Sequence, residues 1–265
     1  KRGANPQRLL TVVFAALGAL LVAFVALPIL TTLLATTPRE FLLTLADPEV
    51  VSALWLTLAA AGLATLLALL TGVPLAYLLA RREFRGKRLV EGLIDLPLVI
   101  PHTAAGVALL MAFGRRAPLG RLGAAVGLSF TDSLAGTVAA MLFVSLPLLV
   151  NGAREGFRAV DPELERVALT LGADPWQAFA LVTLPLAWRG ILSGALMMWA
   201  RGLSEFGAVA ILSYHPKIIP VLVYERFAGF GLAAARPVAV ILLIAAMFVF
   251  VLLRSVGRPK SDDAQ

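Results

Sequence analysis

The chain has 265 residues, of which 60% are hydrophobic and only 15% charged, and its net charge is +7. So apolar a composition excludes a soluble globular domain and points to a membrane protein. The positive balance does not mark a nucleic-acid binder, because the basic residues fall in small groups between apolar runs without interleaved aromatics, and the absence of cysteine excludes disulfides and thiolate metal sites.

In chain order, Lys1, Arg2 and Arg8 precede an uncharged run over residues 9–35. At about 1.5 Å per residue this run exceeds the ~30 Å hydrocarbon core, and it is too long for the apolar core of a cleaved signal, so it predicts a retained first span. The start at Lys1 without Met leaves room for a preceding piece. Residues 36–50 read as a short polar connection. A second uncharged run over 50–80, interrupted by Gly72 and Pro74, ends at the basic stretch RREFRGKR, residues 81–88. The third run, 89–113, contains Glu91, Asp95, Pro97, Pro101 and His102. Its prolines remove backbone donors that lipid cannot replace, which predicts a kinked span facing protein or water. Glu91 and Asp95 lie in its first turns and are expected to reach the interface.

Residues 114–132 read as a Gly-rich loop, 133–150 as a fourth span, 191–212 as a fifth and 237–253 as a sixth, with a loop over 213–236 and a polar tail over 254–265. The expectation is a single all-α domain over 1–265, a polytopic membrane protein with six transmembrane helices. Alternate connections collect unequal numbers of Lys and Arg. The richer side holds both termini, residues 81–88, and Arg154, Arg158, Arg166 and Arg189, so that side is expected to be cytoplasmic.

Between the fourth and fifth runs lies the one sizeable polar island, 161–190. Asp161-Pro162-Glu163 is a helix start, with an acidic cap, Pro at the first helical position and acid in the first turn. Leu164, Val167, Ala168 and Leu171 recur at helical spacing, Gly172 stops the run, and Ala173-Asp174-Pro175 starts a second helix. Two short helices meet at a sharp corner, where Gly172 can take a positive φ and an added side chain is expected to crowd the bend.

This corner resembles the EAA loop of ABC-importer membrane subunits: Glu-Ala-Ala, three residues, Gly, nine residues, Ile, one residue, Leu-Pro. Ala168, Gly172, Val182, Leu184 and Pro185 keep the register. Arg166 stands where the pattern has Glu, Val167 replaces the first Ala and Val182 replaces Ile, with Glu165 one position early. The resemblance implies a cytoplasmic coupling helix seated on a partner ATPase. An ordinary helical hairpin between two spans is the plainer alternative.

Arg201 and Glu205, four apart, are the strongest intramembrane charges and are expected on one helix face near mid-membrane, either lining a translocation path or fixing helix packing. His102 either lines that path or bonds a carbonyl freed by Pro101, and the carbonyl is the favoured reading. Pro101, His102, Thr103, Arg201, Ser204 and Glu205 form the candidate path set. Met197, Met198 and Trp199 read as packing. There is no Gly-Lys-Ser/Thr phosphate loop, no HExxH and no GxSxG, and GFGLAA at 229–234 lacks the βαβ setting of a dinucleotide site.

The stretches DLPLVIPHTAAGVALL (95–110), RGLSEFGAVAIL (201–212) and VLVYERFAGFGLAAARPVAV (221–240) look like the molybdate/tungstate importer permease family, within a wider group that includes sulfate and thiosulfate permeases. With the loop, the resemblance covers about 50–253. It implies a multi-pass permease in the cell membrane that is not itself an enzyme and carries no cofactor. It also implies a homodimer with two cytoplasmic ATPase subunits that bind ATP and Mg, and an extracytoplasmic substrate-binding protein. A sulfate/thiosulfate permease is the alternative, and a non-ABC channel or membrane enzyme a distant one. Arg115, Arg116, Arg121, Lys217, Arg226 and Arg236 are expected to draw anions to the entrance.

Overall fold

The computed structural model describes residues 6–256, all of whose regular elements are helices. In chain order these are α1 (Pro6–Ala35), α2 (Pro38–Leu45), α3 (Pro48–Arg81), α4 (Lys87–Asp95), a 3₁₀ turn (Leu96–Leu98) and α5 (His102–Phe113). Next come α6 (Pro118–Ala125), α7 (Leu134–Arg158), α8 (Pro162–Thr170) and α9 (Pro175–Ala178). A π-helical segment (Phe179–Thr183) then leads into α10 (Leu184–Leu203), followed by α11 (Gly207–Leu212), α12 (Ile219–Phe230) and α13 (Leu232–Val256). Among the described residues five helical stretches are long and apolar enough to cross a membrane, and α4 with α5 makes a sixth, broken by a 116° bend.

The bend replaces the expected kink, since Pro97 and Pro101 each remove a backbone donor within five residues of one another. By contrast α3 runs unbroken through Gly72 and Pro74. Three connections read as loops contain helices. Thr37 and Glu40 form a reciprocal capping box that starts α2, while α6 and α12 each begin with Pro in the first turn. The fourth span continues past Val150 to Arg158, and the fifth begins at Pro175 and ends at Leu203. It starts early because the π segment joins α9 to α10 without a stop. The segment lies just ahead of Pro185, whose ring would collide with the carbonyl four residues back, and a widened turn gives it room. Helix α13 extends to Val256, so the tail begins later than residue 254, and residues 257–265 lie outside the described residues, as do Lys1 and Arg2.

The core is a three-helix packing of α3, α7 and α10. Helix α3 buries a stripe of small residues, Ala53, Ala60, Ala61, Ala64, Ala68, Gly72 and Ala76. Helices α7 and α10 meet at two pairs of glycines spaced four apart, Gly152 with Gly194 and Gly156 with Gly190. A Cβ at Gly152 would lie 2.7 Å from Gly194 Cα, and one at Gly190 would lie 2.5 Å from Gly156 Cα. Small residues at this spacing let helix backbones touch inside a bilayer, where helix association rests on packing because lipid is as apolar as the side chains. Helices α5 and α11 pair on one flank of the core, and α12, α13 and α2 form the other. Helix α1 is exposed along its length and meets the bundle at α13.

Gly190→Leu therefore places a side chain where a backbone already sits, and overpacking of this kind costs about 1–3 kcal/mol or more. The expected result is a lower thermal unfolding midpoint of the detergent-solubilised chain. Gly62→Leu, at a position where a Cβ meets nothing within 4 Å, should leave the midpoint unchanged.

Candidate functional site

The polar island folds into the corner that its caps foretell. The Asp161 carboxylate accepts the Glu163 amide at 2.9 Å and starts α8, and Asp174 and Gln177 cap α9 reciprocally at 2.8 and 2.9 Å. Between them Gly172 has φ +96°, and the Ala173 amide returns to the Ala168 carbonyl at 3.1 Å. A Cβ at Gly172 would meet nothing within 4 Å, so crowding is not what requires glycine here. The positive φ requires it. The corner presents Leu164, Val167, Leu169, Leu171 (83% exposed) and Trp176 (75% exposed) on its outer surface.

The two charged residues at the start of the loop pattern diverge. Arg166 points outward and pairs with Glu163 one turn back. Glu165 turns inward, where its carboxylate accepts Arg81 Nε at 2.8 Å, Thr183 Oγ1 at 2.8 Å and the Tyr77 hydroxyl at 3.2 Å. Arg81 Nη2 also donates to the Val160 carbonyl at 2.9 Å. Glu165 thus ties α8 to the end of α3 and to the π segment, with Tyr77, Phe157 and Phe179 packed edge to face beside it. Val182 is half-buried within the π segment, and Leu184 and Pro185 open α10. Arg81, Tyr77 and Thr183 were not singled out from the sequence, in which Arg81 and Glu165 stand 84 positions apart.

The structure brings the six candidate path residues to one place, with two corrections. Glu205 is not on the helix that carries Arg201, because α10 ends at Leu203 and Glu205 sits in the break before α11. The pair still forms: Glu205 Oε2 accepts Arg201 Nη2 at 2.9 Å, and Oε1 accepts the Ala208 amide at 2.9 Å, which caps α11. These bonds satisfy a carboxylate that is only 1% exposed. His102, the first residue of α5, bonds no carbonyl freed by Pro101 among the described residues. Its Nε2 lies 2.7 Å from Arg201 Nη2, and a hydrogen bond there requires that ring nitrogen to accept. Arg201 Nη1 donates to Ser204 Oγ at 3.3 Å, and Ser204 and His102 are exposed, as are Pro101 and Thr103 on either side of His102. Gly106 and Gly207 allow the close approach of α5 to α11 that sets this geometry, since a Cβ on Gly207 would lie 2.9 Å from His102 Cβ.

Glu91 and Asp95 turn toward α7, the former accepting Arg154 Nη1 at 3.1 Å and the latter Asn151 Nδ2 at 2.7 Å. At the opposite end, three cations expected to attract anions are already paired. Lys217 bonds Glu225 at 2.8 Å and Glu49 at 3.0 Å, Arg226 bonds Asp47 at 2.6 Å, and Arg236 bonds Glu40 at 3.1 Å. The Arg226 hydrogen bond holds the Asp47 carboxyl below its ordinary pKa, and Glu225 and then Glu49 push Lys217 above its own. Arg115, Arg116 and Arg121 make no ion pair among the described residues.

Among the described residues, the all-helical bundle of five apolar helices and one broken pair is the architecture of a polytopic membrane protein. The chain belongs to the family of binding-protein-dependent transport system inner membrane components, whose sequence profile matches residues 72–258. It is 47% identical over 248 residues to a molybdate/tungstate transport system permease protein of Thermococcus kodakarensis, covering 92% of this chain and 95% of that one. It is 41% identical over 187 residues to a molybdenum transport system permease protein of Mycobacterium tuberculosis, covering 71% of each. In fold it is similar to a chain of a bacterial alginate ABC transporter crystallised with a pentasaccharide-bound periplasmic protein (TM-score 0.71, 16% identity, 94% of this chain and 92% of that one). It is also similar in fold to a chain of an inward-facing methionine ABC transporter (TM-score 0.63, 19% identity, 79% and 96%).

Removing one member of the Arg201–Glu205 pair leaves the other charge without its partner in a low dielectric. Arg201→Ala and Glu205→Ala should each destabilise the chain, and the double variant should lose less than their sum by about 1–3 kcal/mol. Unfolding of the four proteins in detergent measures this, and strict additivity would mean that the two side chains act separately.

Proposed function

We propose that this chain is the membrane-spanning subunit of an ATP-driven importer for molybdate or tungstate. The observation that carries the reading is 47% identity, over nearly the full length of both chains, to a protein named as a molybdate/tungstate permease. The excess of Lys and Arg supports placing the α8–α9 corner and both termini in the cytoplasm. There the exposed Leu171 and Trp176, with the residues between them, offer an apolar seat for a partner ATPase.

ATP and Mg are bound by that partner, in keeping with the lack of a phosphate loop in this sequence. Glu165 carries the displacement of the corner to α3 through Arg81 and to α10 through Thr183. Membership in the family of binding-protein-dependent permeases supports assembly as a homodimer. A separate binding protein delivers the anion at the far end. Arg201, His102, Thr103 and Ser204 line the path, where a cation already paired to Glu205 attracts an oxyanion without holding it tightly.

The test is uptake into proteoliposomes holding permease, ATPase and cognate binding protein, with molybdate, tungstate, sulfate and thiosulfate compared. ATP-dependent entry of molybdate or tungstate is expected. Entry of sulfate alone would move the substrate to the sulfate/thiosulfate class and leave the importer reading standing, whereas outward-only transport would overturn both. In the same assay Gly172→Val should slow uptake by about tenfold, because a β-branched residue at positive φ costs on the order of 1–2 kcal/mol. Unaltered uptake by that variant would remove the corner from the coupling route.

A further inference from the structure

Helix α4 carries polar as well as apolar residues on the face that meets the bundle and leaves leucines on the other. Its polar residues Glu91 and Asp95 face inward onto α7, bonded to Arg154 and Asn151, beside the core-packed Val90 and Ile94, whereas Leu89 (68% exposed), Leu93 (59% exposed) and Leu96 of the following turn face out. The turn that precedes it supplies Arg82 and Arg85, α4 itself supplies Arg88, and none of the three makes an ion pair among the described residues. Beside them lies a cavity of about 460 Å³ lined by Phe84, Gly86, Lys87, Arg88 and Arg158, whose two carboxylates are already engaged, Glu83 by Lys87 and Glu91 by Arg154. The level is that of a bilayer surface. Helix α3 has 34 residues, about 51 Å at the helical rise, so its last turns emerge from a ~30 Å core, and the 116° bend keeps α4 from continuing the line of α5.

We propose that the α3–α4 turn and the outer face of α4 form a binding site for an anionic phospholipid of the surrounding membrane. Arg82, Arg85 and Arg88 take the headgroup phosphate, and Leu89, Leu93 and Leu96 lie along the acyl chains. Guanidinium groups match phosphate oxygens two at a time, and a basic cluster flanking an interfacial apolar helix face is the arrangement that anionic lipid favours. The charge pattern argues against the other occupants. A second copy of this face, related by a two-fold axis, would bring the unpaired arginines against their like, and an acidic protein partner would satisfy the arginines but gain nothing from the three leucines.

The test is native mass spectrometry of the purified full-length chain, titrated in neutral detergent with short-chain phosphatidylglycerol or phosphatidylcholine. Phosphatidylglycerol should be retained over phosphatidylcholine. Retention should weaken by about fivefold for each of Arg82→Gln, Arg85→Gln and Arg88→Gln, as one kcal/mol per basic residue near the surface implies, whereas the triple lysine variant, which keeps the charge and loses the paired guanidinium contacts, falls between the unaltered chain and the triple glutamine variant. Leu89→Gln with Leu93→Gln keeps every arginine, so it weakens a lipid site and spares a free-phosphate site. Arg115→Gln with Arg116→Gln, on other elements, changes nothing. Equal retention of the two lipids, full retention by the triple glutamine variant, or complete displacement by millimolar inorganic phosphate would each overturn the proposal.

Discussion

The contact on which the rest of the structure depends is the glycine seam between α7 and α10. Gly152 and Gly156 on one helix and Gly190 and Gly194 on the other bring the two backbones together so closely that no side chain fits between them. In lipid, apolar surface gains little by leaving one apolar neighbour for another, so helices hold together by contact area and close approach. The small-residue stripe of α3 applies the same principle on the adjoining face, with Gly72 against Leu149 and Val150 and Gly202 against Ala61. These three helices make a closely packed frame, and both polar regions of interest sit where that frame ends.

At one end α10 stops at Leu203, and the chain places a buried carboxylate in the gap. Glu205 is affordable there because Arg201 and the Ala208 amide both bond it, and because α11 packs close enough to α5 to bring His102 to the same guanidinium. At the other end α10 runs back through the π segment into the α8–α9 corner. Thr183 of that segment and Arg81 of α3 converge on the Glu165 carboxylate. A shift of α8 cannot be absorbed locally without breaking those bonds, whereas Trp176 and Arg166, the latter paired only within α8, stand on the outer surface.

Much of this was legible in the sequence. The apolar runs located the spans, and Asp161-Pro162-Glu163, Gly172 and Asp174-Pro175 gave both caps and the corner between them. Several of the boundary errors have a common source. Reading spans as apolar runs stops where polar residues begin, so it ended the fourth span at Val150, although Asn151, Arg154 and Arg158 continue α7 and bond Asp95, Glu91 and Glu155. It also read residues 36–50, 114–132 and 213–236 as loops, because α2, α6 and α12 are short and flanked by polar residues. What a linear sequence withholds is who faces whom. Glu165 meets an arginine from a distant helix, and Lys217, Arg226 and Arg236 meet the carboxylates of α2, α3 and α12. The glycine seam carried a readable signal in its two spacings of four, although that signal does not say which helix each pair touches.

The central claim is that the corner works on the bundle through Glu165, and the ratio of anion transported to ATP hydrolysed in the reconstituted transporter measures this most directly. Arg81→Glu and Glu165→Arg should each lower that ratio while the ATPase subunit stays bound, and the two together should recover a large part of it. If each single variant transports as much per ATP as the unaltered chain, the Glu165 tie does not carry the coupling.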